Sequence, residues 1–212
     1  MEKKTISKSV LRRLPGYLAY LKNIQEPETP YISATALANA LGMGEVQVRK
    51  DLAMVSDGGR PKIGYLRESL IEDIEQFLGY DNTTDAVIVG AGKLGQALMC
   101  YKGFDEYGLN ILAGFDLHSV GEKTENGKPI FHVDHLQSFC RTHKVLMGII
   151  TVPEAAAQSV CDQLIQCGIK AIWSFVPGHL EVPEGVMVHN ENMATSLAVL
   201  SMHLQAQMKE KK

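Results

Sequence analysis

A glycine-rich segment constrains the fold of this chain more than any other part of its sequence. Between the apolar run Ala86–Val89 and the helix-like stretch Gly92–Tyr101 stands Gly90-Ala91-Gly92-Lys93-Leu94-Gly95. In that context the three glycines permit a tight turn, close approach of the backbone to a pyrophosphate, and close packing of helix on strand. The N–H groups and the dipole at the start of the helix favour phosphate. The segment therefore predicts the first strand–turn–helix unit of a dinucleotide-binding domain.

A carboxylate at the end of the next predicted strand supports this prediction. Asp116 lies 21 residues after Gly95 and directly follows the predicted strand Ile111–Phe115. A carboxylate at this place can accept hydrogen bonds from an adenosine ribose, and it repels a 2′-phosphate. We therefore expect Asp116 and its neighbour Leu117 to contact NAD rather than NADP, although a protonated His118 would ease that repulsion.

The remainder of this region alternates short apolar strands with helices, which is typical of a parallel sheet covered on both faces. We predict strands at Val145–Ile150, Ala171–Phe175 and Val186–Val188, and a helix at Glu154–Cys167. Ligands of open α/β sheets bind at the carboxyl ends of the strands. The candidate walls for the nicotinamide end of the cofactor are therefore Thr151, Val152 and Pro153 after one strand, and Ser174 and Phe175 at the end of the next.

The first 80 residues have the pattern of a winged helix-turn-helix. A helix within Tyr31–Gly42, with Ser33 as a strong N-cap, is joined by a glycine-containing turn to a second helix, Glu45–Val55. The glycines and basic residues of Asp57–Tyr65 then indicate a wing. Amphipathic helices are predicted on either side of this motif, at residues 8–24, where Pro15 and Gly16 would bend the helix or delay its start, and at Arg67–Leu78.

Polar and basic side chains of this region are candidates for DNA contact. Residues 1–67 carry 11 Lys and Arg against 6 Asp and Glu, whereas residues 68–212 carry 10 against 18, so the front of the chain suits a polyanion. Gln, Arg and Lys on the second helix of such a motif can read bases or hold phosphates. The candidates are Gln47, Arg49 and Lys50 on that helix, Arg60, Lys62 and Tyr65 on the wing, and Arg13 for a phosphate.

Other features narrow the class of protein. No apolar run reaches the roughly 18 residues of a membrane span, the N-terminus lacks the pattern of a signal peptide, and the four cysteines form no Cys-x-x-Cys pair. We therefore expect a cytoplasmic protein with reduced thiols. The seven histidines form no catalytic constellation, and His132 and His135 lack partners at the spacing of a metal site. We predict no catalytic residue, no metal and no enzyme.

Taken in order, these motifs resemble those of the Rex family of redox-sensing transcriptional repressors, over nearly the whole chain. The matching segments are Gln47–Leu52, Gly64-Tyr65, Gly90–Gly95, Tyr101 with Gly103-Phe104, Phe115-Asp116, Thr151–Pro153, Gly168-Ile169, Phe175-x-Pro177 and Leu180-x-Val-Pro183. The resemblance implies a homodimer with swapped C-terminal helices, here Met193–Met208. It also implies NAD(H) as the effector, with Tyr101 among its contacts, and a repressor that binds its DNA operator with NAD⁺ and leaves it when NADH binds.

The sequence departs from the family pattern at three places. The wing segment Val55–Ile63 lacks the usual Phe-Gly and Arg-Gly elements, Ser174 stands where the family usually has Asn, and Asn192 replaces a common acidic residue. The last two lie where NADH would be distinguished from NAD⁺, so a divergent paralogue that responds to another adenine nucleotide, such as FAD, is one alternative. A small NAD-dependent oxidoreductase is another, because fold does not fix function.

The sequence thus predicts an α/β protein in three parts. Residues 1–80 form a winged helix-turn-helix DNA-binding domain, residues 81–190 a Rossmann NAD(H)-binding domain, and residues 191–212 a C-terminal dimerisation helix that is swapped between protomers.

Overall fold

The computed structural model describes residues 7–25, 30–118 and 121–210. The chain divides into two compact units, Met1–Asn82 and Thr83–Lys212. The division falls two residues beyond the predicted end of the DNA-binding domain, and the C-terminal helix belongs to the second unit.

The described part of the first unit contains helices and a short two-stranded sheet. Its helices are α1 (Lys8–Asn23), α2 (Ala34–Leu41), α3 (Glu45–Val55) and α4 (Arg67–Leu78), and its strands are β1 (Tyr31–Ile32) and β2 (Tyr65–Leu66). The two strands pair antiparallel, one before α2 and the other after the wing. Two helices joined by a tight turn and followed by a strand-bordered loop confirm the winged helix-turn-helix.

Local sequence explains where these helices begin and end. At the start of α2, the Oγ atom of Ser33 accepts a hydrogen bond of 3.0 Å from the backbone N–H of Ala36. Gly42 ends α2 in the left-handed conformation, with a φ of 63°. The first helix starts at Lys8 and contains Pro15, so its start is not delayed. Burial of its apolar face offsets the backbone hydrogen bond that proline removes.

One face of every helix in this unit contributes to a common apolar core. The largest fully buried side chains are Leu14, Tyr17, Leu18 and Leu21 of α1, Leu37 of α2, Leu52 of α3, and Leu70 and Ile74 of α4. Because α3 packs into this core through one face, its other face stays outside.

The second unit contains a parallel sheet. Its strands are β3 (Thr84–Val89), β4 (Leu109–Asp116), β5 (Ile130–His132), β6 (Met147–Ile150), β7 (Ala171–Ser174) and β8 (Met187–Asn190). Their order across the sheet is β5-β4-β3-β6-β7-β8, and every neighbouring pair is parallel. This order, 3-2-1-4-5-6 when counted within the unit, is that of the Rossmann fold and confirms the predicted fold class.

Helices cover both faces of this sheet. They are α5 (Lys93–Cys100), α6 (Gly103–Glu106), α7 (Leu136–His143) and α8 (Glu154–Gln166). The C-terminal helix of the unit is α9 (Met193–Glu210). Alternate residues of β3 point to opposite faces. Val87 and Val89 join the core formed with α7 and α8, whereas Ala86 and Ile88 join the core that contains Met99 of α5.

One strand and two α-helices of the second unit, together with the short 3-10 helix Val133–His135, were not predicted. Strand β5 has three residues, and α6 has four, so neither is long enough to show a period. Helix α7 buries only Leu136 and Cys140, and its remaining residues are polar or half-buried, which hides the apolar stripe. The predicted strands and helices of this unit are present, with ends that differ by at most two residues.

The C-terminal helix α9 differs from the other helices in its exposure. Leu197, Leu200 and Leu204 are between 57% and 66% exposed. An apolar stripe of this kind is unfavourable in water and is covered when a second surface packs on it. Of the described helices, none has the length and apolar character needed to cross a membrane.

Candidate functional site

A cleft of about 450 Å³ opens where β3, β4 and β6 end. The strand order changes direction between β3 and β6, and open α/β sheets bind their ligands at such a point. Of the residues expected to bind a dinucleotide, the cleft is lined by Gly90, Gly92, Asp116, Leu117, Thr151, Val152 and Pro153. The structure therefore brings together residues that are up to 63 positions apart in the sequence.

The turn between β3 and α5 is held against the turn after β6. Gly90 has a φ of 101°, and a Cβ atom there would lie 2.7 Å from the carbonyl carbon of Thr151. The Oγ1 atom of Thr151 donates a hydrogen bond of 2.6 Å to the carbonyl oxygen of Gly90. Gly95 packs on that same carbonyl oxygen so closely that any Cβ would clash. Both glycines are thus required by packing within the protein.

Gly92 differs from these two glycines because no contact with the described residues requires it. It is the N-cap of α5, and among residues 7–25, 30–118 and 121–210 a Cβ atom there would meet no atom within 4 Å. The N–H groups at the start of α5 thus border open space beside an exposed Lys93 and Leu94, whereas Ala91 is buried. A space that a Cβ would fill, at a helix N-terminus, fits a pyrophosphate.

Asp116 ends β4 and lines the cleft. Its Oδ1 atom accepts a hydrogen bond of 2.9 Å from the backbone N–H of His118, which orients the carboxylate. Leu117 is 62% exposed and lines the same cleft, so it offers an apolar surface to an adenine ring. The acidic group and the apolar side chain together suit the adenosine half of a dinucleotide.

Of the residues expected at the nicotinamide end, Thr151, Val152 and Pro153 line this cleft, whereas Ser174 and Phe175 are not among its lining residues. Ser174 is fully buried, and its Oγ atom accepts a hydrogen bond of 3.2 Å from the backbone N–H of Val176. The hydroxyl of Ser174 is therefore engaged within its own turn. A contact between Ser174 and a nucleotide stays a prediction.

Tyr101 and Phe175 belong instead to a row of aromatic rings. Tyr101 contacts Phe104 edge to face at 4.9 Å between ring centroids, Phe104 contacts Trp173 at 5.6 Å, and Trp173 contacts Phe175 at 4.9 Å. The indole N–H of Trp173 donates a 3.1 Å hydrogen bond to Oε1 of Glu191. These contacts hold the row together beside the carboxyl end of β7, and the nucleotide contacts of Tyr101 and Phe175 stay predictions.

Helix α8 contributes cleft residues that the sequence interpretation missed. They are Ala156, Ser159, Val160 and Gln163. Their spacing of three, one and three places them on one face of the helix. The same pattern was present in the sequence, because a helix that follows Thr151–Pro153 must turn one face toward the cleft.

Histidines and acids form small local pairs rather than a metal centre. Among residues 7–25, 30–118 and 121–210, no group of three His, Cys, Asp or Glu side chains is placed to hold a metal ion. His132 contacts Asp134 through Nδ1 at 3.0 Å, which is a contact within one turn.

The exposed face of α3 carries the predicted DNA-reading residues of the first unit. Gln47, Arg49 and Lys50 are exposed, whereas Val48 is fully buried in the core. The guanidinium of Arg49 forms an ion pair with Glu45 one turn earlier on the helix. Since that pair is exposed, DNA phosphates or base edges can replace the carboxylate at small cost.

The wing places its basic residues and its tyrosine differently. Arg60 and Lys62 are exposed, and Lys62 has a φ of 67° at the turn that Arg60 and Gly64 close by backbone pairing. Tyr65 is buried, and its ring packs beneath Gly59. Burial, together with the charge of Asp57, raises the pKa of Tyr65. Tyr65 thus has a packing role, and its contact with DNA stays a prediction.

Arg13 has a partner within the protein. Its guanidinium forms two hydrogen bonds with the carboxylate of Asp51, at 2.7 and 2.9 Å, and this pairing raises the pKa of Arg13. The predicted phosphate contact would have to compete with that ion pair.

Comparison with known proteins shows which families the two units resemble. The chain matches the family models described as "Putative DNA-binding protein N-terminus" over residues 5–53 and "CoA binding domain" over residues 81–178. It is 39% identical to the redox-sensing transcriptional repressor Rex of Porphyromonas gingivalis, over 92% of this chain and 90% of that protein. The protein of the same name from Treponema denticola is 40% identical, over 90% of this chain and 91% of that protein.

Solved structures agree with the sequence relatives. The crystal structure of RSP in complex with β-NAD⁺ and operator DNA has a TM-score of 0.88 and 34% identity, and covers 99% of this chain and 97% of that chain. RSP in complex with β-NADH has a TM-score of 0.84 and 33% identity, with coverage of 99% and 100%. RSP is described as a Rex-family repressor. Identity above 30% across nine-tenths of the sequence confirms the resemblance, and the chain belongs to the Rex family of redox-sensing transcriptional repressors.

Proposed function

We propose that this protein is a transcriptional repressor that binds an operator through α3 and the wing and leaves it when NADH binds. The observation that carries the proposal is the cleft that joins the Gly90–Gly95 turn to Asp116, in a chain whose other unit exposes basic residues on α3. A relative of the same family is known in complex with NAD⁺ and operator DNA, and also with NADH. A protein that acts on DNA in this way works in the cytoplasm.

The second unit holds NAD(H) as its effector. The N-terminus of α5 at Gly92 takes the pyrophosphate, and Asp116 accepts hydrogen bonds from the ribose of the adenosine half. Thr151 acts by fixing the Gly90 turn, since its hydroxyl bonds the carbonyl of Gly90 at 2.6 Å. Val152 and Pro153 continue the cleft toward the aromatic row at β7, which takes the nicotinamide end together with Ser174.

The first unit holds DNA. Gln47, Arg49 and Lys50 lie on the exposed face of α3, where amide and guanidinium groups can read base edges in a major groove. Arg60 and Lys62 on the wing take backbone phosphates, which position the helix without specifying sequence. Arg49 exchanges its ion pair with Glu45 for a contact with DNA.

The functional form is a homodimer joined through α9. The exposed apolar side chains of α9 include Leu197, Leu200, Leu204 and Met208, which recur on one side of the helix. Exchange of α9 between two protomers buries this stripe. Two copies of α3 then match the two halves of a palindromic operator.

The protein acts by binding and not by catalysis. The relatives of this chain are named transcriptional repressors. NAD(H) therefore serves as a signal rather than as a reactant.

Binding of operator DNA in the presence and absence of NADH tests this proposal. The operator is first selected by the protein itself from random duplex DNA in the presence of NAD⁺, and fluorescence anisotropy of the labelled duplex then gives its Kd. We expect saturating NADH to weaken binding at least about tenfold, that is by about 1.4 kcal/mol or more. DNA binding that no dinucleotide alters would contradict the proposal.

Two variants separate the two binding activities. Arg49→Ala removes a base or phosphate contact and should weaken operator binding by about 1–3 kcal/mol while NADH binding is unchanged. Gly92→Val should bind operator DNA and fail to respond to NADH, because its side chain fills the space for the pyrophosphate. Lys170→Ala removes one positive charge from an exposed position of the second unit and is the matched control for Arg49→Ala. If both test variants lose both activities, the assignment of the two sites is wrong.

A further inference from the structure

A buried polar contact joins α1 to α3 in the first unit. The Nε atom of Arg13 donates to Oδ2 of Asp51 at 2.7 Å, and Nη2 donates to Oδ1 at 2.9 Å. The phenol of Tyr17 donates to Oδ2 at 2.8 Å. We call these three residues the Asp51 clamp. Both oxygens of the carboxylate are engaged, and Asp51 is only 3% exposed.

The clamp acts on the helix that carries the DNA-reading residues. Asp51 directly follows Lys50 in α3, and it shares the buried face of that helix with Val48 and Leu52. Successive residues of an α-helix are separated by about 100° around its axis. A rotation of α3 would therefore move Arg49 and Lys50 by the same angle as Asp51, so a bond that fixes Asp51 also fixes the direction of the exposed face.

Apolar contacts alone restrain the rotation of α3 about its axis only weakly. Val48 and Leu52 are fully buried, but apolar packing is non-directional and tolerates small rotations and shifts. A bidentate guanidinium–carboxylate contact is satisfied in one planar geometry. The clamp therefore adds an angular restraint that the apolar core of this unit lacks.

The arginine and the phenol of the clamp both keep their protons around neutral pH. Burial, and then the hydrogen bond to Asp51, raises the pKa of Tyr17 to about 12, so that its phenol stays a donor. The hydrogen bond to Asp51 raises the pKa of Arg13. The side chain of Arg13 is only 18% exposed, so little of it can contact a phosphate. The neighbouring Arg12, by contrast, is exposed.

We propose that Arg13 is a positioning residue for operator recognition rather than a phosphate contact. Through Asp51, and with Tyr17, it sets the angle at which α3 presents Gln47, Arg49 and Lys50 to DNA. The proposal rests on the proposed DNA-binding function and assigns a role within it. Loss of the clamp should therefore lower discrimination between operator and other DNA more than it lowers affinity for DNA in general.

The test compares three readouts on the full chain: the ratio of Kd for non-operator and operator duplexes, the dependence of log K on log salt concentration, and NADH binding. The first variant is Arg13→Lys, which keeps the charge and loses the bidentate geometry. The second is the double variant Arg13→Met with Asp51→Leu, which replaces the ion pair by apolar side chains of similar size and avoids an unpaired buried charge. Arg12→Ala is the matched control, since it alters the adjacent exposed arginine.

The positioning role predicts a fall in the Kd ratio with an unchanged salt dependence. We expect the ratio to fall at least about threefold in Arg13→Lys and about tenfold in the double variant, with NADH binding unaffected and Arg12→Ala equal to the parent in the ratio. The double variant is judged only if its thermal melt is cooperative, whereas Arg13→Lys, which leaves no charge unpaired, is decisive in either case.

Two results would overturn the inference. If the ratio of Kd for non-operator and operator duplexes is the same in Arg13→Lys as in the parent, the clamp serves folding alone. A salt slope reduced by about 0.9 in the double variant would show that Arg13 neutralises a phosphate. Failure of the parent protein to bind operator DNA at all would instead refute the proposed function, so the two failures are distinguishable.

Discussion

The substitution Gly92→Val tests the nucleotide site, because its side chain would occupy the space that we propose for the pyrophosphate. The backbone at Gly92 has a φ of −70° and a ψ of −168°, which valine adopts without strain. In the part of the chain that the structure describes, no atom lies within 4 Å of where a Cβ atom would stand at this position. We therefore expect the free energy of unfolding to change by no more than about 0.5 kcal/mol, as for an ordinary surface substitution.

The effect on NADH binding is expected to be large. Contacts between backbone N–H groups and a charged pyrophosphate contribute about 1.5–3 kcal/mol each. Displacement of two such contacts costs about 3–6 kcal/mol, which is a rise in Kd of about 10²- to 10⁴-fold. Trp173, the single tryptophan of the chain, lies in the same unit and provides the assay, because its emission is absorbed by bound NADH.

Gly95→Val is the matched control for this experiment. Its side chain would clash with the carbonyl oxygen of Gly90, so it should lower the Tm, whereas Gly92→Val should not. If Gly92→Val binds NADH within about threefold of the parent, that is within about 0.7 kcal/mol, or if it melts as early as Gly95→Val, the assignment of the pyrophosphate to this space is refuted.

Three further predictions concern other parts of the molecule. Because the carboxylate of Asp116 repels a 2′-phosphate, NADPH should bind at least about tenfold more weakly than NADH, and Asp116→Asn should narrow that difference; equal affinities in the parent would contradict the role of Asp116. Leu200→Glu with Leu204→Glu places charges on the exposed stripe of α9 and should convert the dimer to a monomer in light scattering, whereas an unchanged dimer would show that another surface joins the protomers. The raised pKa of Tyr17, about 12, means that its contribution to stability is complete below a pH of about 10 and is lost as the pH rises toward 12. In urea unfolding, the free energy of unfolding of Tyr17→Phe should therefore fall by about 1–3 kcal/mol less than that of the parent as the pH rises. Identical pH profiles of the two proteins would argue against the buried phenol.

The nucleotide cleft could be predicted from sequence because its residues are restricted by local geometry. Gly90 and Gly95 are required by a positive φ and a close packing contact, and Asp116 is marked by its place at the end of a strand. Restrictions of this kind act within one turn of the chain, so they leave a pattern in a single sequence. The cap at Ser33 was predictable for the same reason.

The role of Arg13 was harder to predict because its partner is 38 residues away. Arg12 and Arg13 are adjacent in the sequence, yet one is exposed and the other pairs with Asp51. A signal was present in the helical phase: Arg13 falls between Val10 and Tyr17 on the buried stripe of α1. An acid three residues after Val48 falls on the buried stripe of α3 in the same way. An acid and a base on two facing apolar stripes indicate an ion pair, but only packing shows that these two stripes meet.

The helices and strands that were missed are those whose stability is not local. Strand β5 is held by its register with β4, in which Phe115 lies beside Phe131. Helix α7 is held by Leu136 and Cys140 in the core formed with α8. Neither has a sequence period long enough to reveal it, because tertiary contacts supply most of the stability of short elements.

We propose that the NADH/NAD⁺ ratio controls operator binding through the cleft at Gly92 and Asp116. The most direct test holds the total nucleotide concentration constant, varies the ratio of NADH to NAD⁺, and follows the anisotropy of labelled operator DNA. We expect the parent protein to pass from DNA-bound to free as the NADH fraction rises, and Gly92→Val to stay bound at every ratio. Operator binding by the parent that is the same at every ratio would contradict this proposal.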